Sequence, residues 1–125
     1  MTPSLTLPQA ANVTGLALSR DGSWLAAGNA AGTIQLWTLP GGQLFGTFGP
    51  LAAPADRLAF SPDGRLLASA HEDHTIRLWG VAGPATSLAA LTGHTAVITG
   101  LAFSPDGATL ASSSWDGTVR LWAEP

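Results

Sequence analysis

Residues 104–122 read SPDGATLASSSWDGTVRLW, and this stretch decides the fold. It contains a Ser-Pro-Asp-Gly turn, a run of small and apolar residues, a second turn at Asp116-Gly117, and a segment that ends in Leu-Trp. Proline suits the second position of a β-turn because its φ is fixed, and glycine supplies the positive φ that a tight hairpin needs. The stretch therefore predicts two strands, Thr109–Ser114 and Thr118–Trp122, joined by a hairpin turn.

Similar sequences occur twice more upstream, so the chain consists of tandem repeats. Trp37, Trp79 and Trp122 end the corresponding segments and lie 42 and 43 residues apart. A fixed period of this length, with turn residues at constant offsets and no helical periodicity, predicts a row of small β-sheets. The repeats span about residues 4–39, 44–81 and 86–122 of one 125-residue unit.

Each repeat predicts short antiparallel strands, so the fold class is all-β. In the third copy, the first strand is expected within residues 97–104. A fourth strand is expected after the first copy at 44–48 and after the second at 86–91. No such strand follows the third copy in this sequence, whereas Ser4–Leu7 precedes the first copy without an obvious partner.

The composition argues against several classes of function. Charged residues make up 10% of the chain, lysine is absent and the net charge is −3, which disfavours nucleic acid and anionic membranes as partners. The chain contains no cysteine, so it has neither disulfides nor thiolate metal sites. The sequence shows no signal peptide and no long apolar run, and we expect a cytoplasmic location.

The repeats resemble the WD40 repeat of β-propeller proteins in period, turn chemistry and tryptophan position. The resemblance implies a structural hydrogen-bonded tetrad of His, Ser, Asp and Trp in each blade. The third copy has a complete set, the second lacks the histidine because Leu51 stands at its position, and the first keeps only the tryptophan. The matching residues are His94, Ser112, Asp116 and Trp122, then Ser69, Asp73 and Trp79, then Trp37.

The resemblance also implies a ring, which in propellers usually has about four to eight blades. Three four-stranded blades form an open propeller segment with uncovered edges, and such edges favour pairing with another chain. We expect head-to-tail assembly of two or three chains, in which the N-terminal strand of one chain completes the third blade of another. The strand assigned to this exchange is Ser4, Leu5, Thr6 and Leu7. The alternative is that the sequence is one segment of a longer propeller.

The expected function is that of a non-enzymatic scaffold for a protein or peptide partner. In propellers of this kind, one end of the ring commonly binds partners, and the corresponding residues can be carried over copy by copy. They are Trp115, Val97 and Thr99; Glu72, Pro54 and Asp56; and Ala30, Asn12 and Thr14. Trp115 is of special interest because exposed tryptophan is enriched in interface hot spots, although it could instead pack over its own hairpin.

The alternative class is an enzyme or small-molecule binder that uses the central channel. Polar residues converging on the axis would favour it, but we expect the innermost strands to carry Leu, Ala, Thr and Gly. His94, Ser112 and Asp116 are not interpreted as a hydrolase triad, because the tetrad accounts for them. The text His71-Glu72-Asp73-His74 is interpreted as a polar turn, and Asp21, Asp63 and Asp106 as turn residues. No catalytic residue, metal or cofactor is therefore predicted.

Overall fold

The computed structural model describes residues 5–9, 11–83 and 88–123. In this part of the chain all regular structure is strand, in three antiparallel sheets that we call blades, and the all-β prediction is confirmed. Blade one contains β1 (Val13–Leu18), β2 (Trp24–Asn29), β3 (Ile34–Thr38) and β4 (Gln43–Phe48). Blade two contains β5 (Ala55–Phe60), β6 (Leu66–His71), β7 (Ile76–Gly80) and β8 (Ala89–Leu91). Blade three contains β9 (Ile98–Phe103), β10 (Thr109–Ser114) and β11 (Val119–Ala123).

Each blade is a simple meander, in which every strand pairs with the next one along the chain. The first strands of the blades lie side by side, since β5 contacts both β1 and β9. Over residues 5–9, 11–83 and 88–123 the three blades do not close into a ring. Within the described residues we find no helix with the length and apolar character that a membrane crossing needs.

The hydrophobic core lies between the blades. One cluster joins blades one and two and includes Ile34, Leu36, Phe48 and Trp79, with Phe48 stacked on the Trp79 ring at 4.9 Å. A second cluster joins blades two and three, with members that include Ala68, Ile76, Ile98 and Leu110. Because the apolar side chains of one blade are covered by the next blade, a blade at the end of the row has an uncovered face.

The Ser-x-Asp-Gly turns have the same hydrogen bonds in all three repeats, as interpreted from the sequence. In the second repeat, the Ser61 hydroxyl donates to Asp63 Oδ1 at 2.7 Å, and Asp63 also accepts from the Arg65 amide at 3.0 Å. The same pairs form at Ser19 and Asp21 and at Ser104 and Asp106. These bonds favour the ionised carboxylate and hold the pKa of all three aspartates below its ordinary value.

Two predicted fourth strands differ from the observed structure. The strand expected at 86–91 begins at Ala89; Thr86 and Ser87 lie outside the described residues. The strand expected at Ser4–Leu7 is absent over Leu5–Leu7, and Ser4 lies outside the described residues. In the single chain, Leu5 and Leu7 instead pack over Gly42. A strand needs a partner for its backbone groups, so the exchanged pairing with another chain stays a prediction.

Candidate functional site

Blade three contains a continuous hydrogen-bonded chain of side chains. Trp122 Nε1 donates to Ser112 Oγ at 2.9 Å, and Ser112 Oγ lies 2.7 Å from His94 Nε2. His94 Nδ1 lies 2.8 Å from Asp116 Oδ2. Because a carboxylate only accepts, His94 carries its proton on Nδ1 and accepts the serine proton on Nε2. The Ser112 hydroxyl is buried and faces the indole, so it is not placed as an exposed nucleophile.

Asp116 is held in its ionised form by its neighbours. The Thr118 hydroxyl and amide donate to Oδ1, while His94 and the Thr95 amide donate to Oδ2. The Thr118 hydroxyl is the main cause of a strong lowering of the Asp116 pKa, and the His94 bond adds to it. The carboxylate therefore joins the hairpin turn to the segment that precedes β9.

Blade two contains a similar chain, but its imidazole comes from another place in the sequence. Trp79 Nε1 donates to Ser69 Oγ at 2.8 Å, and Ser69 Oγ lies 2.7 Å from Nε2 of His71. His71 Nδ1 lies 2.9 Å from the carbonyl oxygen of Ala53, so this nitrogen donates. Sequence reasoning missed this role of His71. The signal was present, since Ser69 and His71 are two residues apart and therefore share one face of a strand.

Two further positions of blade two, Asp73 and Leu51, differ from blade three. Sequence reasoning placed Asp73 in the tetrad of blade two, but its carboxylate accepts from the amide and hydroxyl of Thr75 and caps the hairpin turn. Leu51, at the expected histidine position, packs against the apolar cluster between blades one and two. His71 thus supplies the imidazole while Leu51 adds apolar contact.

Blade one lacks this hydrogen-bonded chain. Trp37 Nε1 is buried without a hydrogen-bond partner in the described part of the structure. Ala27 stands where Ser69 and Ser112 stand in the other blades, so the acceptor for the indole is missing. The buried Oε1 of Gln9, the residue at the histidine position, is also unpaired there. Blade one therefore lacks the buried side-chain hydrogen bonds that hold these positions in blades two and three.

Residue types that can bind metals occur together in the sequence His71-Glu72-Asp73-His74, but their side chains lie in separate environments. Both ring nitrogens of His71 are engaged inside the blade, whereas Glu72 is exposed on the turn. In the described residues, no three His, Cys, Asp or Glu side chains are placed to hold a metal ion together.

The carried-over binding residues meet in pairs at one end of the blades. The amide of Trp115 donates to the Val97 carbonyl at 2.9 Å, and the amide of Glu72 donates to the Pro54 carbonyl at 3.2 Å. The matching bond in blade one joins Ala30 to the Asn12 carbonyl at 2.8 Å. Trp115 is 77% exposed, so its indole does not pack over its own hairpin. This end therefore presents one large aromatic side chain beside polar turn residues.

The remaining carried-over residues, Thr14, Asp56 and Thr99, lie on the inner strands near the junctions between blades. Next to them, Arg57 donates from Nε to the Thr99 carbonyl at 2.9 Å and from Nη1 to the Asp56 carbonyl at 3.0 Å. The expectation that the innermost strands carry Leu, Ala, Thr and Gly is incomplete, because β5 also contains Asp56 and Arg57. Asp56 is one of the carried-over residues, whereas sequence reasoning did not single out Arg57. Together they place one carboxylate and one guanidinium on β5 rather than a cluster of acids.

The two end faces of the row are apolar and uncovered. On blade one, Leu16 and Leu18 are 61% and 62% exposed, whereas the equivalent Leu58 of blade two packs against the core of the preceding junction. On blade three, Val119 and Leu121 are both 72% exposed. Their blade-one equivalents, Ile34 and Leu36, are fully buried against blade two. Each end face therefore repeats the side chains that form a blade junction inside the chain.

The family model described as "WD domain, G-beta repeat" matches residues 1–38, 52–80 and 85–123. These three segments cover most of the chain. They include the hydrogen-bonded side chains described above in blades two and three, and Trp37 of blade one. A comparison with curated proteins gave no match.

Proposed function

The chain belongs to the WD-repeat family, and from this premise we propose that it is a non-enzymatic interaction scaffold that assembles head to tail into a closed ring. WD-repeat domains mediate protein–protein interactions. The proposed partner is a protein or peptide, and the proposed location is cytoplasmic. A net charge of −3 without lysine supports a partner other than nucleic acid or an anionic membrane.

One observation carries the assembly proposal: Leu16 and Leu18 project from one end of the row, and Val119 and Leu121 from the other. Each pair matches side chains that are packed inside the internal junctions. Burying such side chains stabilises association by roughly 25 cal/mol per Å² of apolar surface. The partner we propose for each end is the opposite end of a second copy, because it already has the complementary side chains.

Two or three copies would give a ring of six or nine blades, and the smaller ring is nearer the usual range of about four to eight. In this ring the N-terminal segment Ser4–Leu7 would become a strand and pair with the edge of β11, beside which the described residues place no fourth strand. Head-to-tail contacts close into rings when the rotation between copies allows it. A closed ring removes both the free strand edge and the exposed apolar faces.

The proposed binding surface is the end of the blades that carries Trp115, Glu72 and Asn12. A rigid, exposed indole surrounded by polar groups is typical of a protein-contact hot spot. The non-enzymatic assignment is supported by the hydrogen bonds of blade three, since His94, Ser112 and Asp116 are all engaged in a buried structural chain.

The solution mass, measured by light scattering over a range of concentrations, tests the assembly. We expect a mass of two or three chains, against 12.7 kDa for one. Leu121→Glu should reduce the mass to that of one chain, because it places a charge in the contact. Leu88→Glu is the control, since Leu88 is similarly exposed but lies beside the groove between blades two and three. A single-chain mass for the unmodified protein at every concentration would overturn the assembly proposal.

Partner capture tests the binding surface separately. Trp115→Ala should keep the mass of the assembly and lose the proteins that the unmodified chain retains, whereas Leu88→Ala should keep both. Retention of all captured proteins by Trp115→Ala would show that this end of the blades is not the binding surface.

A further inference from the structure

The junction between blades one and two depends on a Thr-Gly pair at the inner strand β1. The Thr14 hydroxyl donates to the carbonyl of Ala55 in blade two at 2.6 Å. A Cβ on the neighbouring Gly15 would meet that carbonyl oxygen at 3.0 Å, and so would a Cβ on Gly28 of β2. The missing side chains therefore allow the backbone of blade two to approach closely enough to accept the threonine proton.

The same Thr-Gly pair recurs in blade three, where β9 reads Ile-Thr-Gly-Leu-Ala against Val-Thr-Gly-Leu-Ala in β1. Blade two has Asp56 and Arg57 at these positions. Its junction with blade three uses another contact, the bond from Arg57 Nε to the Thr99 carbonyl at 2.9 Å. The chain thus contains two kinds of junction, and the Thr99-Gly100 pair resembles the kind formed by blade one. It differs from it in that Ser113 stands where blade one has Gly28, so a strand docked there must lie a few tenths of an ångström further away.

No blade follows blade three in the described structure, so the Thr99-Gly100 pair has no neighbouring backbone to approach. The Thr99 hydroxyl lies 2.9 Å from the Ser113 hydroxyl, at the edge of the open face. Beside this pair, a shallow hollow on the face is lined by Gly100, Ala111, Ser113 and Val119, among others. In the internal junction the equivalent place beside Gly15 and Gly28 holds Ala55, the first residue of β5.

At the other end of the row, the residue equivalent to Ala55 is Val13, the first residue of β1. Ala55 and its blade-three equivalent Ile98 are both buried in a junction, whereas Val13 is exposed. Val13 therefore has the position of an acceptor residue, but among the described residues no blade precedes it.

We propose that β9 of one copy docks on β1 of a second copy in the register that β1 adopts on β5. In this junction the Thr99 hydroxyl donates to the Val13 carbonyl of the second copy, and the Val13 side chain enters the hollow beside Gly100. The inference rests on the proposed head-to-tail assembly and adds to it the register and the contacting residues.

A disulfide tests the register directly, because the chain contains no other cysteine. In the internal junction a Cβ on Gly28 would lie 3.1 Å from the Cβ of Ala55, closer than the separation of about 3.5–4.5 Å in a disulfide. The slightly wider spacing that the Ser113 side chain requires brings the equivalent pair between copies toward that range. The equivalent positions between copies are Ser113 and Val13. The double variant Val13→Cys, Ser113→Cys should therefore form covalent multimers on mild oxidation, and their largest closed species gives the number of chains in the ring.

The control pair is Thr47→Cys, Ser113→Cys, since Thr47 lies on the outer strand β4 and should not link efficiently. A second measurement does not depend on the disulfide variants. Thr99→Val should weaken association about tenfold, because it leaves a carbonyl in the contact without its donor. Thr47→Val, the same change at an exposed site on β4, should leave association unchanged.

The outcomes separate the two proposals. An assembled protein that fails to form the 13–113 link, or whose association is unaffected by Thr99→Val, would overturn this junction and leave head-to-tail assembly standing. A link formed within one chain would also overturn it. A mass of one chain at every concentration would remove the assembly and this junction together.

Discussion

The hydroxyl of Ser69 lies 2.7 Å from Nε2 of His71, two residues further along the same strand. In blade three the equivalent serine, Ser112, is paired with His94, which precedes it by 18 residues. The order of groups from indole to hydroxyl to imidazole is the same in both blades. Blade two therefore obtains the buried polar chain from a residue of β6 itself, while Leu51 occupies the usual histidine position.

Removing the central hydroxyl of this chain should destabilise blade two. Ser69→Ala leaves the Trp79 indole N–H and His71 Nε2 buried without partners, and we expect a loss of about 1–3 kcal/mol in the free energy of unfolding. Urea denaturation at one fixed protein concentration measures it, since assembly makes stability concentration-dependent. Ser23→Ala removes a hydroxyl that donates to Asp21 at 2.7 Å, but this carboxylate stays open to water, so the change should cost less than about 1 kcal/mol. Equal losses at the two positions would contradict the role of Ser69.

Stability should fall on mild acidification because of His71. Burial is the main cause that lowers the pKa of His71 below its ordinary value of 6.5, although the bond to Ala53 and the charge of Asp73 oppose the shift. The unfolded chain then binds the proton more readily than the folded one. The stabilisation by neutral His71 is complete above pH 6.5 and is lost as the pH falls from 6.5 toward the lowered pKa of the folded state.

Unfolding of the unmodified chain and of His71→Gln should be compared between pH 7.5 and pH 5. The variant loses the titrating group, so its stability should depend less on pH in this window. The charges of Arg77 and Asp56 also act on the imidazole: Arg77 adds to the lowering of the His71 pKa, whereas Asp56 opposes it. Parallel pH profiles for the two proteins would show that His71 does not titrate as proposed.

Blade one should be stabilised by the acceptor that it lacks. Ala27→Ser places a hydroxyl at the position of Ser69 and Ser112, where the unpaired Trp37 indole N–H can donate to it. A gain of about 1 kcal/mol in the free energy of unfolding is expected. Ala26→Ser is the matched control: Ala26 is fully buried in the apolar cluster, and an added hydroxyl there should cost about 1–3 kcal/mol. Destabilisation by both substitutions would contradict the prediction.

The hairpin turn of blade two should accept glycine at residue 74 with a gain in stability. His74 has φ of +70°, and the equivalent residues Gly32 and Gly117 have φ of +84° and +86°. A side chain in this conformation costs about 1–2 kcal/mol, so His74→Gly should raise the melting temperature measured by circular dichroism. Glu72→Gly, in the same turn, lacks a positive φ to relieve and should lower it. An unchanged melting temperature for His74→Gly would argue against strain at this turn.

Much of the fold could be predicted from the spacing of turn residues. The predicted strand Thr109–Ser114 coincides with β10, and the Asp63 carboxylate caps its own turn as its Ser-Pro-Asp-Gly context indicates. Local hydrogen bonds of this kind depend on neighbours in sequence, so the sequence is sufficient to predict them. The role of His71 does not follow from the family pattern, which places the imidazole before the first strand of a blade and not within β6.

The sequence by itself determined the period, the turns and the all-β class, because these follow from local backbone preferences and from alternation along single strands. Tertiary structure decided which side chains meet. It brought His71 to Ser69, left the Trp37 indole unpaired, and placed Arg57 across the junction onto Thr99. It also decided that Leu16 and Val119 are exposed while equivalent residues are buried. The physical reason is that the core forms between blades, so the environment of each apolar residue depends on whether another blade lies against it.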